Sequence, residues 1–248
     1  MSEISIAMPQ DPPRQLPLDL PVDTRLEAED FLVGPANTHA YAMIESWPAW
    51  PDTLLRLIGP EGSGKTHLAS IWAQRAGASV VSIADVTTDK VEALAAQNAL
   101  VIEDADQMPR DEHALFHLLN VMRRKNASSG ASMLITARTK PEEWGLVTPD
   151  LLSRLRLSPS VAIDAPDDAL LRAVLVKLFV DRQLLVDTSV VEALGRRMER
   201  SLAAAGALVE MLDREALSHS RRITRVFALS MLDRWEEEQH SQKDTEQG

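Results

Sequence analysis

Cysteine is absent from the 248 residues, which excludes disulfide bonds, thiolate metal sites and cysteine nucleophiles. The sequence also lacks any uninterrupted apolar run long enough to predict a membrane-spanning helix. Its first residues, MSEISIAMPQDPP, are acidic and rich in proline and have neither the basic nor the apolar part of a signal peptide. These absences predict a cytoplasmic protein.

The sequence also has few positive charges, because its 26 Lys and Arg are outnumbered by 37 Asp and Glu and the net charge is −11. Such a chain repels phosphate backbones unless one face is locally basic, so duplex DNA is a poor candidate for a direct ligand. The compact basic runs, Arg123-Arg124-Lys125 and Arg221-Arg222 with Arg225, suit the solvated ends of helices better than a nucleic-acid interface. Aromatic residues make up only 4% of the chain, which argues against stacking platforms for single strands.

The composition that remains, 45% hydrophobic and 25% charged, is typical of a globular protein. From 53 to 166, short apolar runs alternate with segments of helical length, which predicts a parallel sheet covered by helices on both faces. The predicted strands lie in 53–59, 79–85, 98–106, 132–138 and 160–166. The predicted helices between them lie in 65–76, 90–97, 111–126 and 149–156.

After Pro166 the sequence changes to segments of helical period, with Asp167 and Thr188 as predicted N-caps. This pattern predicts a small all-α domain that follows the α/β domain. The predicted organisation is a flexible arm over 1–24, an α/β domain over 25–165, a helical domain over 166–238 and a disordered tail over 239–248.

The segment GPEGSGKT, residues 59–66, fits the spacing G-x-x-x-x-G-K-[ST] between an apolar strand and a helical pattern. Its glycines allow backbone N–H groups to converge on phosphate oxygens, and the dipole of the following helix favours the same charge. Lys65 is predicted to reach the β- and γ-phosphates, and the Thr66 hydroxyl to ligate Mg²⁺. The segment therefore predicts a site for ADP or ATP with Mg²⁺.

Two carboxylates, Glu103 and Asp104, end the predicted strand ALVIEDAD. Beside a phosphate loop, the first can hold the water shell of Mg²⁺ and the second can polarise an attacking water. Glutamate in place of aspartate at the first position could shift the metal geometry and weaken hydrolysis. Asp106 lies just beyond, where it is a candidate to cap the loop.

The segment TPDLLSRLRL, 148–157, predicts a short helix with Thr148 as N-cap and Pro149 at the first helical position. Arg154 and Arg156 then project near its end. On spacing alone, such an arginine is either one half of a surface ion pair or a finger that enters the nucleotide site of a neighbouring subunit.

Five segments together resemble the AAA+ ATPases, and within them the DnaA branch of bacterial replication initiators: FLVGPAN (31–37), GPEGSGKTHLA (59–69), LVIEDAD (100–106), LITAR (134–138) and LLSRL (151–155). The resemblance covers most of 31–240 and is carried by the order and spacing of the segments. It implies an AAA+ domain with a parallel five-stranded sheet flanked by helices, and a helical lid after Pro166. It also implies that Thr136 and Arg138 lie in the sensor-1 strand and that Arg154 is the arginine finger.

The same resemblance implies a set of nucleotide-binding residues, in which the backbone around Leu32 and Val33 contacts the adenine. The set is Leu32, Val33, Gly59, Pro60, Glu61, Gly62, Ser63, Gly64, Lys65, Thr66 and His67. The sensor-2 arginine of the family is missing around Leu202 and Ala203, and Arg200 is the nearest candidate for its role. No helix-turn-helix of the kind that reads DNA in DnaA initiators is predicted within this sequence after the lid.

The arm segment RQLPLDLP, 14–21, places Gln15, Leu16, Leu18 and Leu20 among prolines, which predicts an extended segment. A DnaA-like core with such an arm resembles the Hda family, the regulatory inactivators of DnaA. That resemblance implies that the arm docks in a pocket of the polymerase sliding clamp and that Arg154 stimulates hydrolysis of ATP bound to DnaA. It implies weak intrinsic ATPase activity and only indirect contact with DNA.

Several alternatives remain open on the sequence. The arm leucines could fold back on the protein's own surface, and the chain could be an autonomous helicase loader or a phosphate-loop kinase for a small metabolite. Both a monomer and a homodimer are compatible with the sequence, as are ADP and ATP as the resting ligand.

Overall fold

The computed structural model describes residues 27–219 and 221–246. The predicted clamp-binding residues Gln15, Leu16, Leu18 and Leu20 lie outside these ranges. Within the ranges, no helix combines the length and the hydropathy that a bilayer-spanning segment needs.

Five parallel strands form one sheet in the order β2-β3-β4-β1-β5. Their bounds are β1 Leu54–Ile58, β2 Ser79–Ser82, β3 Ala99–Glu103, β4 Ser132–Ala137 and β5 Ser160–Ala162. The three central strands are buried along nearly their whole length, as expected for strands that are covered on both faces. The predicted parallel sheet is confirmed, and each strand ends a little before its apolar run does.

Helices cover both faces of the sheet. They are α1 Thr38–Glu45, α2 Lys65–Ala76, α3 Val91–Ala96, α4 Glu112–Ser129 and α5 Pro149–Leu157. Leu55 and Leu57 of β1 pack with α1 and α2, whereas Leu54 packs with α3, α4 and α5 on the other face. This alternation follows from the two-residue period of a strand, and it separates α2 from α5. Helix α1 is an element that the sequence did not predict.

Tryptophans anchor α2, the helix that begins at the phosphate loop. Trp72 is fully buried, its ring stacks on Trp50 at 4.9 Å and it meets the edge of Trp47 at 6.2 Å. Truncating a buried tryptophan to alanine typically costs about 3–5 kcal/mol. The middle of α2 is therefore held by a well-packed core beneath it.

The remaining helices form a second hydrophobic core of their own. They are α6 Asp168–Asp181, α7 Thr188–Arg197, α8 Leu202–Ser218 and α9 Arg225–Glu246. Asp167 caps α6 as predicted, by accepting a hydrogen bond from Leu170 N. The prediction of Thr188 as an N-cap is wrong, because Asp187 caps α7 and Thr188 is its first residue. Helix α9 extends to Glu246, into the segment 239–248 for which the sequence predicted disorder.

Candidate nucleotide-binding site

The phosphate loop connects the carboxyl end of β1 to the first turn of α2. Gly62 and Gly64 have φ values of 68° and 100°, in the left-handed region that residues with a Cβ rarely adopt. Gly64 is also the N-cap of α2, with no side chain to bond the first N–H groups of the helix. The first N–H groups of α2 thus have no side-chain cap and lie at the positive end of the helix dipole, which favours an anion there.

Lys65 is buried at the base of this loop. Its ammonium group donates hydrogen bonds to Gly59 O and Pro60 O, each at 2.8 Å. Burial lowers the pKa of Lys65 below its ordinary value, and the negative charge of Asp104 opposes this shift. Thr66, the next residue, is exposed. The lysine is therefore held in place before any ligand binds, while the threonine hydroxyl is accessible.

The carboxylates at the end of β3 and just after it lie close to the phosphate loop, since the charges of Asp104 and Asp106 act on Lys65. Glu103 Oε1 and Asp106 Oδ1 are buried and have no hydrogen-bond partner among the described residues, and Ser63 Oγ in the loop is in the same situation. Buried polar atoms normally have partners, so these three mark places where a water, an ion or a ligand atom is expected. The sequence makes Asp106 a candidate to cap the loop, but its Oδ1 accepts no hydrogen bond from any described residue.

The donor set around the loop fits Mg²⁺ bound together with a nucleotide. Magnesium in such sites keeps several waters and takes only one or two protein ligands, with phosphate oxygens as the others. Thr66 offers one hydroxyl, and Glu103 offers a carboxylate oxygen that lacks a partner. The described residues contain no cluster of three His, Asp or Glu side chains that could hold a metal on its own.

The strand β4 contacts both the carboxylates and the phosphate loop. Thr136 is buried, and its hydroxyl accepts a hydrogen bond from Asp104 N at 3.1 Å. Arg138, just after the strand, forms an ion pair with Glu61 of the loop, at 3.0 Å between Nη1 and Oε2. The two residues expected in the sensor-1 strand are thus brought to the site.

The segment expected to contact adenine is shaped by a residue that sequence reasoning missed. Asn37 is buried, donates a hydrogen bond to Leu32 O at 2.9 Å and accepts one from Gly34 N at 2.8 Å. Val33 remains about half exposed between these contacts. Asparagine just before a helix is a known turn former, and that is the only signal in the sequence that points to Asn37.

His67 has contacts away from the phosphate loop. Its Nε2 lies 2.9 Å from Glu27 O, and its ring meets the edge of Phe31 at 5.2 Å between centroids. These contacts join the first turn of α2 to the segment before α1. The expected role of His67 at the nucleotide stays a prediction.

The lid contacts the phosphate loop directly. Leu202 N, at the start of α8, donates a hydrogen bond to Gly62 O at 2.7 Å. A Cβ at position 62 would lie 2.0 Å from Ser201 Oγ, so only glycine fits there. No sequence motif signals this contact, because it joins two backbones far apart in the chain.

A cavity of about 410 Å³ opens between the loop and the lid, lined by Glu61, Arg200, Ser201 and Trp235 among others. Arg200 is exposed, and its guanidinium pairs with Asp168 of α6 at 3.0 Å. It lies at the rim of the cavity and is engaged within the lid. Its assignment as the sensor-2 residue stays a prediction.

Arg154 lies away from the phosphate loop of its own chain. It is in the last turn of α5, which leads to the amino end of β5, whereas the loop leaves the carboxyl end of β1. Its guanidinium lies over the ring of Phe116 at 4.9 Å and has no ion-pair partner among the residues that the structure describes. Arg156, by contrast, is bound to Glu142 at 2.6 Å. Of the two arginines, Arg156 is therefore the one that forms a surface ion pair.

Comparisons with known proteins agree with this architecture. Residues 55–163 match the model of the ATPase family associated with various cellular activities (AAA). No curated protein matches the chain significantly.

Among solved structures, domain III of the replication initiation protein DnaA from Thermotoga maritima matches with a TM-score of 0.72 and 17% identity, over 86% of this chain and 98% of that one. AMPPCP-bound DnaA from Aquifex aeolicus matches with a TM-score of 0.66 and 16% identity, over 88% and 71%. A RuvB mutant from Thermotoga maritima matches with a TM-score of 0.61 and 17% identity, over 81% of this chain and 69% of that one.

At these identities the likeness concerns the fold. The parallel sheet, the phosphate loop and the matched family model define an AAA+ α/β domain followed by a helical lid. More particularly, the fold is similar to that of domain III of DnaA.

Proposed function

We propose that the protein binds ADP or ATP with Mg²⁺ between its phosphate loop and its lid, and acts as a negative regulator of chromosome replication. In this role it docks on the DNA-loaded sliding clamp and presents Arg154 to ATP bound on DnaA. Hydrolysis there leaves the initiator inactive. The protein's own ATPase activity is weak, so it works as a regulator more than as an enzyme.

The geometry of the phosphate loop supports nucleotide binding. Gly62 and Gly64 adopt the left-handed backbone that directs N–H groups to phosphate, and Lys65 is already held at the loop. Thr66 and Glu103 would hold Mg²⁺, which neutralises charge on the phosphates when bound. The similarity to AMPPCP-bound DnaA supports the same ligand class.

The placement of Arg154 is the observation that carries the regulatory role. A finger that acts on a second protein must be on the surface, away from its own nucleotide and free of a competing carboxylate. Arg154 meets these conditions, because its guanidinium lies over the ring of Phe116 and its side chain is half-buried. An arginine supplied in trans typically accelerates hydrolysis by about 10³–10⁵.

The arm supplies the proposed link to the clamp. Residues 15–20 lie outside the described part of the chain, so this step rests on their chemistry. Gln15 can hydrogen-bond at the mouth of a pocket while Leu16, Leu18 and Leu20 enter it. The flanking prolines restrict the free segment and lower the cost of ordering it.

The test measures conversion of DnaA-bound ATP to ADP in the presence of clamp loaded on DNA. Wild type is expected to accelerate conversion, Arg154→Ala to abolish the acceleration, and Gln15→Ala to reduce it strongly. Arg156→Ala is the matched control on the same helix, because Arg156 is already paired with Glu142, and it should stay close to wild type.

Equal behaviour of Arg154→Ala and Arg156→Ala would overturn the finger assignment. If wild type itself has no effect on DnaA, the regulatory role is wrong. Substantial ATPase activity of the protein alone would then favour the autonomous helicase loader.

A further inference from the structure

We infer that the lid of this protein is coupled to bound nucleotide through the backbone of the phosphate loop, by the hydrogen bond from Leu202 N to Gly62 O, and not through a charged side chain. This inference rests on the proposed nucleotide binding and deepens it. Its consequence is that the lid closes equally over ADP and ATP.

The contact joins the first turn of α8 to the backbone of the phosphate loop. Ser201 caps α8 and accepts a hydrogen bond from Ala204 N at 3.1 Å, which fixes the first turn of the helix. From this turn, Leu202 N reaches Gly62 O at 2.7 Å. Gly62 itself is held in its left-handed conformation, with Ser201 directly against it. A change in the loop backbone is therefore transmitted to α8 without an intervening flexible side chain.

Among the described residues, this hydrogen bond joins two main-chain atoms, and the charged side chains that line the neighbouring cavity, Glu61, Glu199 and Arg200, take no part in it. The first residues of α8, Leu202 and Ala203, are apolar, and Arg200 is paired with Asp168 inside the lid. A main-chain donor bound to a main-chain acceptor responds to the conformation of the loop, which is set by the phosphates that the loop N–H groups cradle. Those are the α- and β-phosphates, which ADP and ATP share.

Proline at position 202 provides a selective test of this hydrogen bond. Leu202 is the first residue of α8, where proline is favoured because the N–H is not used within the helix. Ser201 has φ −135° and ψ 125°, an extended conformation that suits a residue before proline. Leu202→Pro thus removes the donor while it preserves the helix, and Leu202→Ala is the matched control that removes the side chain but keeps the donor.

The measurement is the dissociation rate of a fluorescent ADP and of a fluorescent non-hydrolysable ATP analogue, followed by stopped flow. Loss of one hydrogen bond predicts release about threefold to tenfold faster from Leu202→Pro than from Leu202→Ala. The factor should be the same for both nucleotides. Equal rates for the two variants would overturn the coupling, and an effect confined to the triphosphate would overturn the equal closure over ADP and ATP.

A second pair of variants keeps the test decisive if Leu202→Pro does not fold. Gly62→Ala introduces a Cβ 2.0 Å from Ser201 Oγ and should speed release. Ser201→Gly removes the obstructing side chain and keeps an acceptable N-cap, so the double variant should recover part of the loss. Absence of any recovery would contradict the coupling.

Failure of the underlying nucleotide proposal would look different. Wild type would then bind neither fluorescent nucleotide. In that case hydrogen exchange on the nucleotide-free proteins still reports the contact, through the amides of Ala204 and Ala205 that Ser201 holds. Faster exchange there in Leu202→Pro than in Leu202→Ala supports the lid contact, and equal exchange refutes it.

Discussion

Asp104 and Thr136 are joined by a hydrogen bond of 3.1 Å from the backbone N–H of Asp104 to the buried hydroxyl of Thr136. Asp104 has a φ of 53°, a conformation that costs a residue with a side chain about 1–3 kcal/mol. The next residue, Ala105, donates its N–H to Thr136 O at 2.9 Å. Thr136 therefore holds Asp104 in this strained conformation at the edge of the candidate site.

Thr136→Val should release this constraint. Valine has nearly the same shape but no hydroxyl, so the N–H of Asp104 is left without an acceptor, and the free energy of unfolding should fall by about 1–3 kcal/mol. Hydrogen exchange at the amide of Asp104 should accelerate in the same variant. Urea unfolding and amide exchange measure the two effects.

Thr136→Ser is the matched control for this substitution. It keeps the acceptor and loses only a methyl group, so the amide of Asp104 should stay protected even though packing is weaker. Equal protection in Thr136→Val and wild type would mean that the hydroxyl does not hold Asp104.

The parts of the fold that the sequence predicted well are those with strong local signals. The sheet follows from apolar runs buried on both faces, and α2 begins at Lys65 because glycines end the strand and open the helix there. The start of α5 also has a local signal, proline at the first helical position, although the hydrogen bonds that hold this start come from Glu112. The prediction of Thr188 as the N-cap is wrong because the preceding residue, Asp187, is also a good cap. Its carboxylate accepts the hydrogen bond from Ser189 N.

The parts that escaped prediction depend on residues far apart in the chain. Glu112 binds the backbone of Val147 and Thr148, 35 and 36 residues away. The contact of Leu202 with Gly62 is likewise made by backbone atoms, which carry no residue-specific signal. Burial of Asn37 depends on packing that no local pattern encodes.

Lys65 predicts a distinctive pH dependence of stability in the nucleotide-free protein. Burial lowers its pKa below the ordinary value of 10.5, so between the two values the unfolded chain binds more protons than the folded one. The free energy of unfolding of wild type, relative to Lys65→Met, should therefore rise as the pH increases towards 10.5. Urea unfolding of both proteins from about pH 8 upwards measures the difference.

The comparison with Lys65→Met isolates this group, because the two proteins differ only at this side chain. A difference in stability that is flat or falls with pH would contradict the lowered pKa. The same variant is expected to lose nucleotide binding, since it lacks the ammonium group that the phosphates need.

For Glu112 we expect a pH dependence of stability in the acid range, where the protein should lose stability as the pH falls. Burial raises the pKa of its carboxyl group, but hydrogen bonds from Thr148 and Val147 outweigh this effect and the pKa lies below its ordinary value. The stabilisation is complete at neutral pH and is lost as the pH falls through the folded-state pKa. Glu112→Gln, which removes the charge, should lower the free energy of unfolding by about 1–2 kcal/mol at neutral pH, and this gap should close in acid.

Urea unfolding of wild type and Glu112→Gln at neutral pH and at about pH 4 and below measures the closing gap. Glu143→Gln, at an exposed glutamate in the turn before α5, is the control and should show no gap. Thr148 has no side-chain cap of its own for α5, so Glu112 is what fixes the start of the helix that carries Arg154. If Arg154 acts on DnaA, Glu112→Gln should also reduce stimulation of ATP hydrolysis while nucleotide binding stays unchanged, because α5 lies on the face of the sheet opposite α2.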